Sequence, residues 1–295
     1  MEFENKSYQW IASCIMMTLS IACLIPFILL IMSSIASEDS IIQHGYSFFP
    51  VEFSLDAYDY LWHHGSELGR AYGITILVTV IGTAVSLAIT SMLAYPLSRS
   101  DMPLKYFWSF LVFFTLLFNG GFVPSYLIYT QIFDIKNTIW ALIVPGLLMN
   151  GFNVLLVRTF FKTSIPSALI EAASIDGASE IKIFYRIVLP LSLPIMVTIG
   201  LFQTITYWND WFNGLTYITD SKYFSIQMIL NKMITDIEFL TSNSNLAGNA
   251  SQELAQIPST SVRMAIAVIG VLPIMIAYPF FQKYFIKGIT IGSVK

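Results

Sequence analysis

The chain has 295 residues, of which 56% are hydrophobic and only 11% charged, with a mean hydropathy of +0.69. That excludes an ordinary soluble domain and points to several membrane spans joined by loops. The net charge of −3 is small, so the placement of the charges carries more information than their sum. The two cysteines, Cys14 and Cys23, lie nine residues apart in one apolar run. On a helix they face nearly opposite directions, which excludes an internal disulfide and predicts a packing role.

In chain order, the first span covers residues 10–35. It is longer than a secretory h-region, and its flank carries Glu2, Glu4 and Lys6, so it reads as a retained span. Residues 36–69 form a loop with Glu38, Asp39, Glu52, Asp56, Asp59 and Glu67 but no Lys or Arg, which marks it as external. The second span is 70–95, and the short loop after it, with Arg99 and Lys105, is cytoplasmic. The third, 106–130, contains Asn119-Gly120-Gly121 and Pro124, an interruption tolerated at membrane depth only where freed backbone faces protein or a water-filled cavity. The fourth, 138–161, carries Asn150 and Asn153 and ends at Arg158 and Lys162.

A polar connection, the loop 163–190, follows on the inside. The fifth span is 191–212. A second external loop, 213–261, includes an Asn/Ser/Ala-rich stretch over 241–251 that reads as flexible. The sixth span, 262–284, leads to Lys283, Lys287 and Lys295. On this topology ten cations lie inside (Lys6, Arg99, Lys105, Arg158, Lys162, Lys182, Arg186, Lys283, Lys287, Lys295) and five outside (Arg70, Lys136, Lys222, Lys232, Arg263). Both termini and the polar connection are therefore expected in the cytoplasm.

That connection reads as two short helices about an elbow. Pro166 suits a first helical turn, Leu169, Ala172 and Ala173 share one face, and Gly177 is placed for a left-handed end. Ser179 is positioned to cap the second helix, whose apolar face is Phe184, Ile187 and Val188, and Leu189-Pro190 is expected to stop it. Glu171-Ala172-Ala173, Asp176-Gly177-Ala178, Ile187 and Leu189-Pro190 stand at the spacing of the EAA signature, and the segment resembles the coupling loop of ABC importer permeases. The resemblance implies that these nine residues dock on a separate cytoplasmic ATPase.

No GxxxxGK[ST] phosphate loop is present, so the chain supplies no ATP engine of its own. No catalytic set is present either: the intramembrane serines have no His or Lys base beside them. His44, His63 and His64 all lie in the first loop, and the adjacent pair beside Glu67 leaves a third and fourth metal ligand unsupplied. We assign no metal site and no bound cofactor. The remaining constellation is Trp208-Asn209-Asp210-Trp211. Two readings stay open for the tryptophans: rings stacked on a pyranose, or an interfacial belt. Asn209 and Asp210 fit a ligand contact or a bond to a partner helix. Asn119, Asn150, Asn153 and Gln203 are further candidates for a shared polar pathway.

Beyond the elbow, residues 119–124, the run Asn137-Thr138-Ile139-Trp140-Ala141-Leu142-Ile143-Val144-Pro145, the 208–211 cluster, Pro258-Ser259 and residues 278–285 resemble carbohydrate-importer permeases of the MalG-related class, LplC/YtcP-like type. The resemblance implies an all-α membrane protein of six transmembrane helices with the MetI-like type I importer fold. It also implies a second permease as heterodimer partner, two ATPase subunits using ATP and Mg, and an extracellular solute-binding lipoprotein. The implied cargo is an oligosaccharide from a complex polysaccharide; no nucleic acid is involved. The resemblance further implies that the tail 287–295 reaches the ATPase. An ion-gradient-driven transporter or channel would instead require paired buried charges within the spans, where Asp210 stands nearly alone. An importer permease for a solute other than sugar is the further alternative.

Overall fold

The computed structural model describes residues 6–63, 65–242 and 259–292. Among them the structure is all-helical, apart from one isolated bridge between Ala36 and Phe53. Two compact units are present, one from residues 1–68 with 230–273 and one from 69–229 with 274–295. His64, most of the 241–251 stretch, Pro258 and the last three residues of the tail lie outside the described residues.

In the first unit, α1 (Lys6–Ser34) is apolar on every face, and Trp10, Ile15, Leu24 and Ile28 are all exposed. A helix of this composition has lipid or another protein as its solvent. Two of its hydroxyls are satisfied internally: Thr18 donates to the Cys14 carbonyl at 2.9 Å and Ser20 to that of Met16 at 2.8 Å. Cys14 and Cys23 are exposed rather than packed, because nothing among the described residues of the unit covers that part of the helix.

Ser37 caps α2 (Glu38–His44) by accepting from the Ser40 N–H at 3.2 Å. Backbone bonds from Ser37 to Glu52 and from Ser54 to Ile35, each 3.0 Å, close the intervening loop. α3 (Asp56–His63) then buries Ala57 and Leu61. His63 Nδ1 lies 2.8 Å from the Asp59 carbonyl oxygen, and no three His, Cys, Asp or Glu side chains converge among the described residues.

One long-range contact orders this unit. The Glu38 carboxylate accepts from the N–H groups of Thr260 and Ser261, each at 2.9 Å, and from the Ser261 hydroxyl at 3.0 Å. These donors are the free amides at the start of the last helix, Ser259–Gly292; a carboxylate there satisfies them and the helix dipole together. Burial pushes the Glu38 carboxyl up, but the hydrogen bonds from Ser261 and Thr260 outweigh it and hold it below its ordinary value.

In the second unit, α4 (Gly65–Ser98, its first residues belonging to the first unit) runs as one continuous helix. Gln9–Ser34 and Gly65–Ser98 are each long and apolar enough to cross a membrane. Two more crossings arise if each bent pair is one span: Lys105–Leu117 with Phe122–Ile132, bent by 111°, and Glu180–Leu191 with Leu193–Trp208, bent by 80°. The first bend falls at residues 118–121, where Asn119 Oδ1 accepts from the Gly121 N–H at 2.9 Å and Gly121 has φ +87. Residues 138–161 form no single helix but split into Trp140–Ile143 and Gly151–Ser164. Pro145 lacks an N–H and Gly146 sits at φ +70, a pair that no continuous helix accommodates. Apolar length alone had suggested one span there.

Close helix approach also has a local cause. A Cβ added to Gly82 on α4 would lie 2.5 Å from Tyr207 Cζ, so only glycine lets this buried ring pass. Gly82→Ala is expected to cost about 1–3 kcal/mol by overpacking, read as a lower thermal midpoint in detergent. For Glu38, a depressed carboxyl stabilises above the ordinary carboxylate range and loses that contribution as pH falls through its folded value. The midpoint of the wild-type protein should therefore exceed that of Glu38→Gln at neutral pH, with the gap closing on acidification.

Candidate functional site

The elbow lies wholly in the second unit. Its first helix, Ser167–Ile175, has Pro166 at the N-cap. At its end Asp176 N–H bonds Ala172 O at 3.0 Å, Gly177 N–H bonds Ser174 O at 3.1 Å and Ala178 N–H bonds Ala173 O at 3.0 Å. Gly177 has φ +76. The last carbonyls of the helix are thus satisfied by a left-handed turn that favours glycine. Glu171, Ala172 and Asp176 are exposed, Ala173 and Ala178 partly so. Ile175 is 86% and Ile181 71% exposed, an apolar display at the tip of an otherwise polar turn.

The second helix starts at Glu180. Ser179 stands at the N-cap but makes no side-chain capping bond. Ile183, Phe184 and Val188 are buried in one cluster with Leu97, Val157 and Phe161, against which Ile187 and Leu189 pack. Leu189-Pro190 does not end the helix. Leu189 N–H reaches back to Phe184 O through a widened turn over Phe184–Val188, which leaves room for the Pro190 ring that would otherwise crowd the preceding turn. A further turn, Leu189–Leu191, carries the chain to the bend at Ser192.

The elbow is tied to the C-terminal end of α4. Tyr95 donates its hydroxyl to Glu180 Oε2 at 2.6 Å, and Arg99 donates to Glu180 Oε1 at 3.3 Å and to Asp101 at 3.0 Å. The Arg99 hydrogen bond holds the Asp101 carboxyl below its ordinary range. Arg158 Nε donates to Leu97 O at 3.0 Å, fixing the same helix end to the helix Gly151–Ser164.

The polar candidates within the spans find mostly backbone partners. Residues 144–150 separate the helices Trp140–Ile143 and Gly151–Ser164 and leave carbonyls without helical partners. Tyr207 donates to Ile143 O at 3.0 Å, Asn213 to Pro145 O at 2.9 Å, and Gln203 to Leu147 O at 3.2 Å and to the Ser86 hydroxyl. Asn150 caps the next helix by accepting from the Phe152 N–H at 2.8 Å, while Asn153 is buried one turn further on. Asn119 is exposed at its bend. Buried backbone polar groups must be paired, and these side chains pair them.

Within residues 208–211 the four side chains part company. Trp208 is buried with its ring 6.2 Å from that of Tyr72. Asn209 closes its own helix by donating to Ile205 O at 3.0 Å. Asp210 Oδ1 accepts from the Asn213 N–H at 3.2 Å, and Trp211 is exposed, edge-on to Phe212. Of the two tryptophans, Trp211 is the exposed one and so the one open to stacking on a sugar.

Tyr207, Asn213, Tyr95 and Glu180 escaped sequence reasoning. Asn137 was read only as part of a longer run. It adopts φ +56 and its Oδ1 accepts from the N–H groups of Thr219, at 2.6 Å, and Asp220, at 3.1 Å. An Asn three residues ahead of a short apolar helix was the available signal, since Asn tolerates the left-handed region.

Among the described residues the architecture is helical, with two helices long and apolar enough to cross a membrane, as in a membrane-embedded protein. A family model described as a binding-protein-dependent transport system inner membrane component matches residues 2–291, and the chain belongs to that family. It is 36% identical over 292 residues, covering 99% of both chains, to the polygalacturonan/rhamnogalacturonan transport system permease protein YtcP of Bacillus subtilis (strain 168). It is 40% identical over 272 residues, 92% of this chain and 89% of the other, to protein LplC of the same organism. Among solved structures, it is similar to a chain of a bacterial ABC transporter involved in the import of the acidic polysaccharide alginate. There the TM-score is 0.77 at 28% identity, over 97% of this chain and 99% of that one. The fold is thus the MetI-type ABC permease fold.

Removing one backbone partner should be costly even far from the elbow. Asn213→Ala leaves Pro145 O unpaired and is expected to destabilise by about 1–3 kcal/mol. Thermal unfolding in detergent would show it as a lower midpoint, with Asn209→Ala, at an exposed helix end, much milder.

Proposed function

We propose that this chain is one of two permease subunits of an ATP-driven, binding-protein-dependent importer of oligosaccharides in a bacterial plasma membrane. The observation that carries this reading is the elbow: a glycine-centred turn with exposed Ile175 and Ile181 at its tip, anchored behind by a buried apolar face. An anchored turn with an exposed tip can receive force from a partner without collapsing. Glu171, Ala172, Ala173, Asp176, Gly177 and Ala178 form the face offered to the ATPase, and Ile187, Leu189 and Pro190 join it to the membrane. Mg-ATP is used by two ATPase subunits beneath the permeases.

In this reading six helices cross the membrane, with both termini and the elbow cytoplasmic and the loops 36–69 and 213–261 facing a tethered solute-binding lipoprotein. The chain supplies half of a pathway that opens alternately to the two sides. The names of the relatives favour a sugar as cargo. The exposed Trp211 and Asn119, with Asn150, Asn153, Gln203, Trp208, Asn209 and Asp210 around the interrupted fourth span, are the residues assigned to the pathway; several of them also maintain its shape. A groove lined by Thr79, Thr83, Ala84 and Gly200 is assigned to the second permease. Small lining residues such as Ala84 and Gly200 let a partner helix approach closely, which suits helix association in lipid.

Reconstitution with both partner subunits and the binding protein tests the reading: uptake should require ATP. Uptake by this chain alone on an ion gradient overturns it. Gly177→Trp, which combines a bulky side chain with an unfavourable φ, should abolish co-purification of the ATPase and ATP-dependent uptake.

A further inference from the structure

The elbow joins its unit through apolar packing and through a polar link centred on Glu180. Tyr95 and Arg99, one turn apart at the end of α4, converge on the two oxygens of that carboxylate at 2.6 and 3.3 Å, and Asp101 steadies Arg99 at 3.0 Å. The side chain of Arg99 is only 20% exposed, so this arginine is partly withdrawn from water. Apolar surfaces slide against each other, whereas charge-assisted hydrogen bonds of fixed geometry resist displacement in both directions.

α4, which carries Tyr95 and ends just before Arg99, also shapes the interrupted stretch around residues 143–150. Ser86 bonds Gln203, which holds Leu147 O. Gly82 admits the ring of Tyr207, which holds Ile143 O. Thr75 accepts from the Ile226 N–H at 2.8 Å. From Tyr95 to Thr75 is roughly 30 Å of continuous helix at 1.5 Å per residue. A cavity of about 300 Å³ lined by Met92, Tyr95, Glu180, Ile181, Phe184 and Tyr185 adjoins the link, so these side chains have space to separate and rejoin.

We propose that Glu180, held by Tyr95 and Arg99, is the positioning link through which displacement of the elbow is passed to α4, and along it to the polar groups around residues 143–150. This rests on the ATPase-coupled reading above. The link lies outside the EAA residues, and its role is to convert docking into movement.

The test uses the assembled complex, with Cys14 and Cys23 replaced by serine and a spin label placed either on the elbow, at Ile175→Cys, or far along α4, at Ile76→Cys. ATP with vanadate should change the mobility of both labels in the otherwise wild-type chain. In Tyr95→Phe, which keeps the ring against Phe184 at 5.3 Å, and in Glu180→Ala, the elbow label should still respond while the Ile76 label loses its response. Glu180→Gln, which keeps an acceptor for Tyr95, should retain more of it than Glu180→Ala. An Ile76 response as large as wild type in both Tyr95→Phe and Glu180→Ala overturns the link and leaves the ATPase reading intact. Loss of ATPase co-purification in Tyr95→Phe also overturns it, since the hydroxyl would then support the docking face itself. If neither label responds in the wild-type chain while the ATPase remains bound, coupling through the elbow fails and the link fails with it.

Discussion

Backbone amides and carbonyls in a bilayer must find partners within the protein, and most of the second unit follows from that requirement. Where a helix runs unbroken, as in α4, the condition is met locally. Where Pro145 and Gly146 break one, the freed carbonyls of Ile143, Pro145 and Leu147 are met by Tyr207, Asn213 and Gln203, all from the fifth span or just beyond it. Residues 143–147 and the helix Leu193–Trp208 with Asn213 therefore specify each other through directional bonds. Leucine-rich packing alone would fix depth and contact but leave rotation about the helix axis poorly determined.

The same requirement sets how much of the site could be read from sequence. The elbow was legible because its logic is local: a left-handed position demands glycine, and the residues that flank Gly177 are set by the turn it makes. The break at residues 118–121 was legible because Asn119-Gly120-Gly121 and Pro124 disrupt a helix regardless of surroundings. The interruption at 144–150 was passed over, since the run from Thr138 to Phe161 is apolar enough to hide one Pro-Gly pair. Leu189-Pro190 misled in the opposite sense, because a widened turn accommodated a proline that propensity alone treats as a stop.

Residues 208–211 show where sequence runs out altogether. Two tryptophans three positions apart have the same chemistry, yet one is buried beside Tyr72 and the other exposed. Nothing in their own neighbourhood distinguishes them; the ring beside Trp208 comes from more than a hundred positions earlier. The same holds for Tyr95 and Glu180, which meet across 85 positions and have no shared motif to announce them. Polar residues in membrane spans invite a ligand reading, but pairing of broken backbone is an equally strong demand on them, and here it accounts for Gln203 and Asn150 in full view.

The Glu38 contact has a consequence for the order of events during synthesis. Its acceptor is made early and its donors at Thr260 and Ser261 emerge 222 and 223 residues later. At ribosomal rates of about 5–20 residues per second, that interval is roughly 10–45 s. Throughout it the nascent first loop holds an ionised carboxylate whose designated amides do not yet exist. The first unit is thus a late-closing structure: whatever inserts or pairs with α1 in the meantime meets it before its final neighbour has been translated.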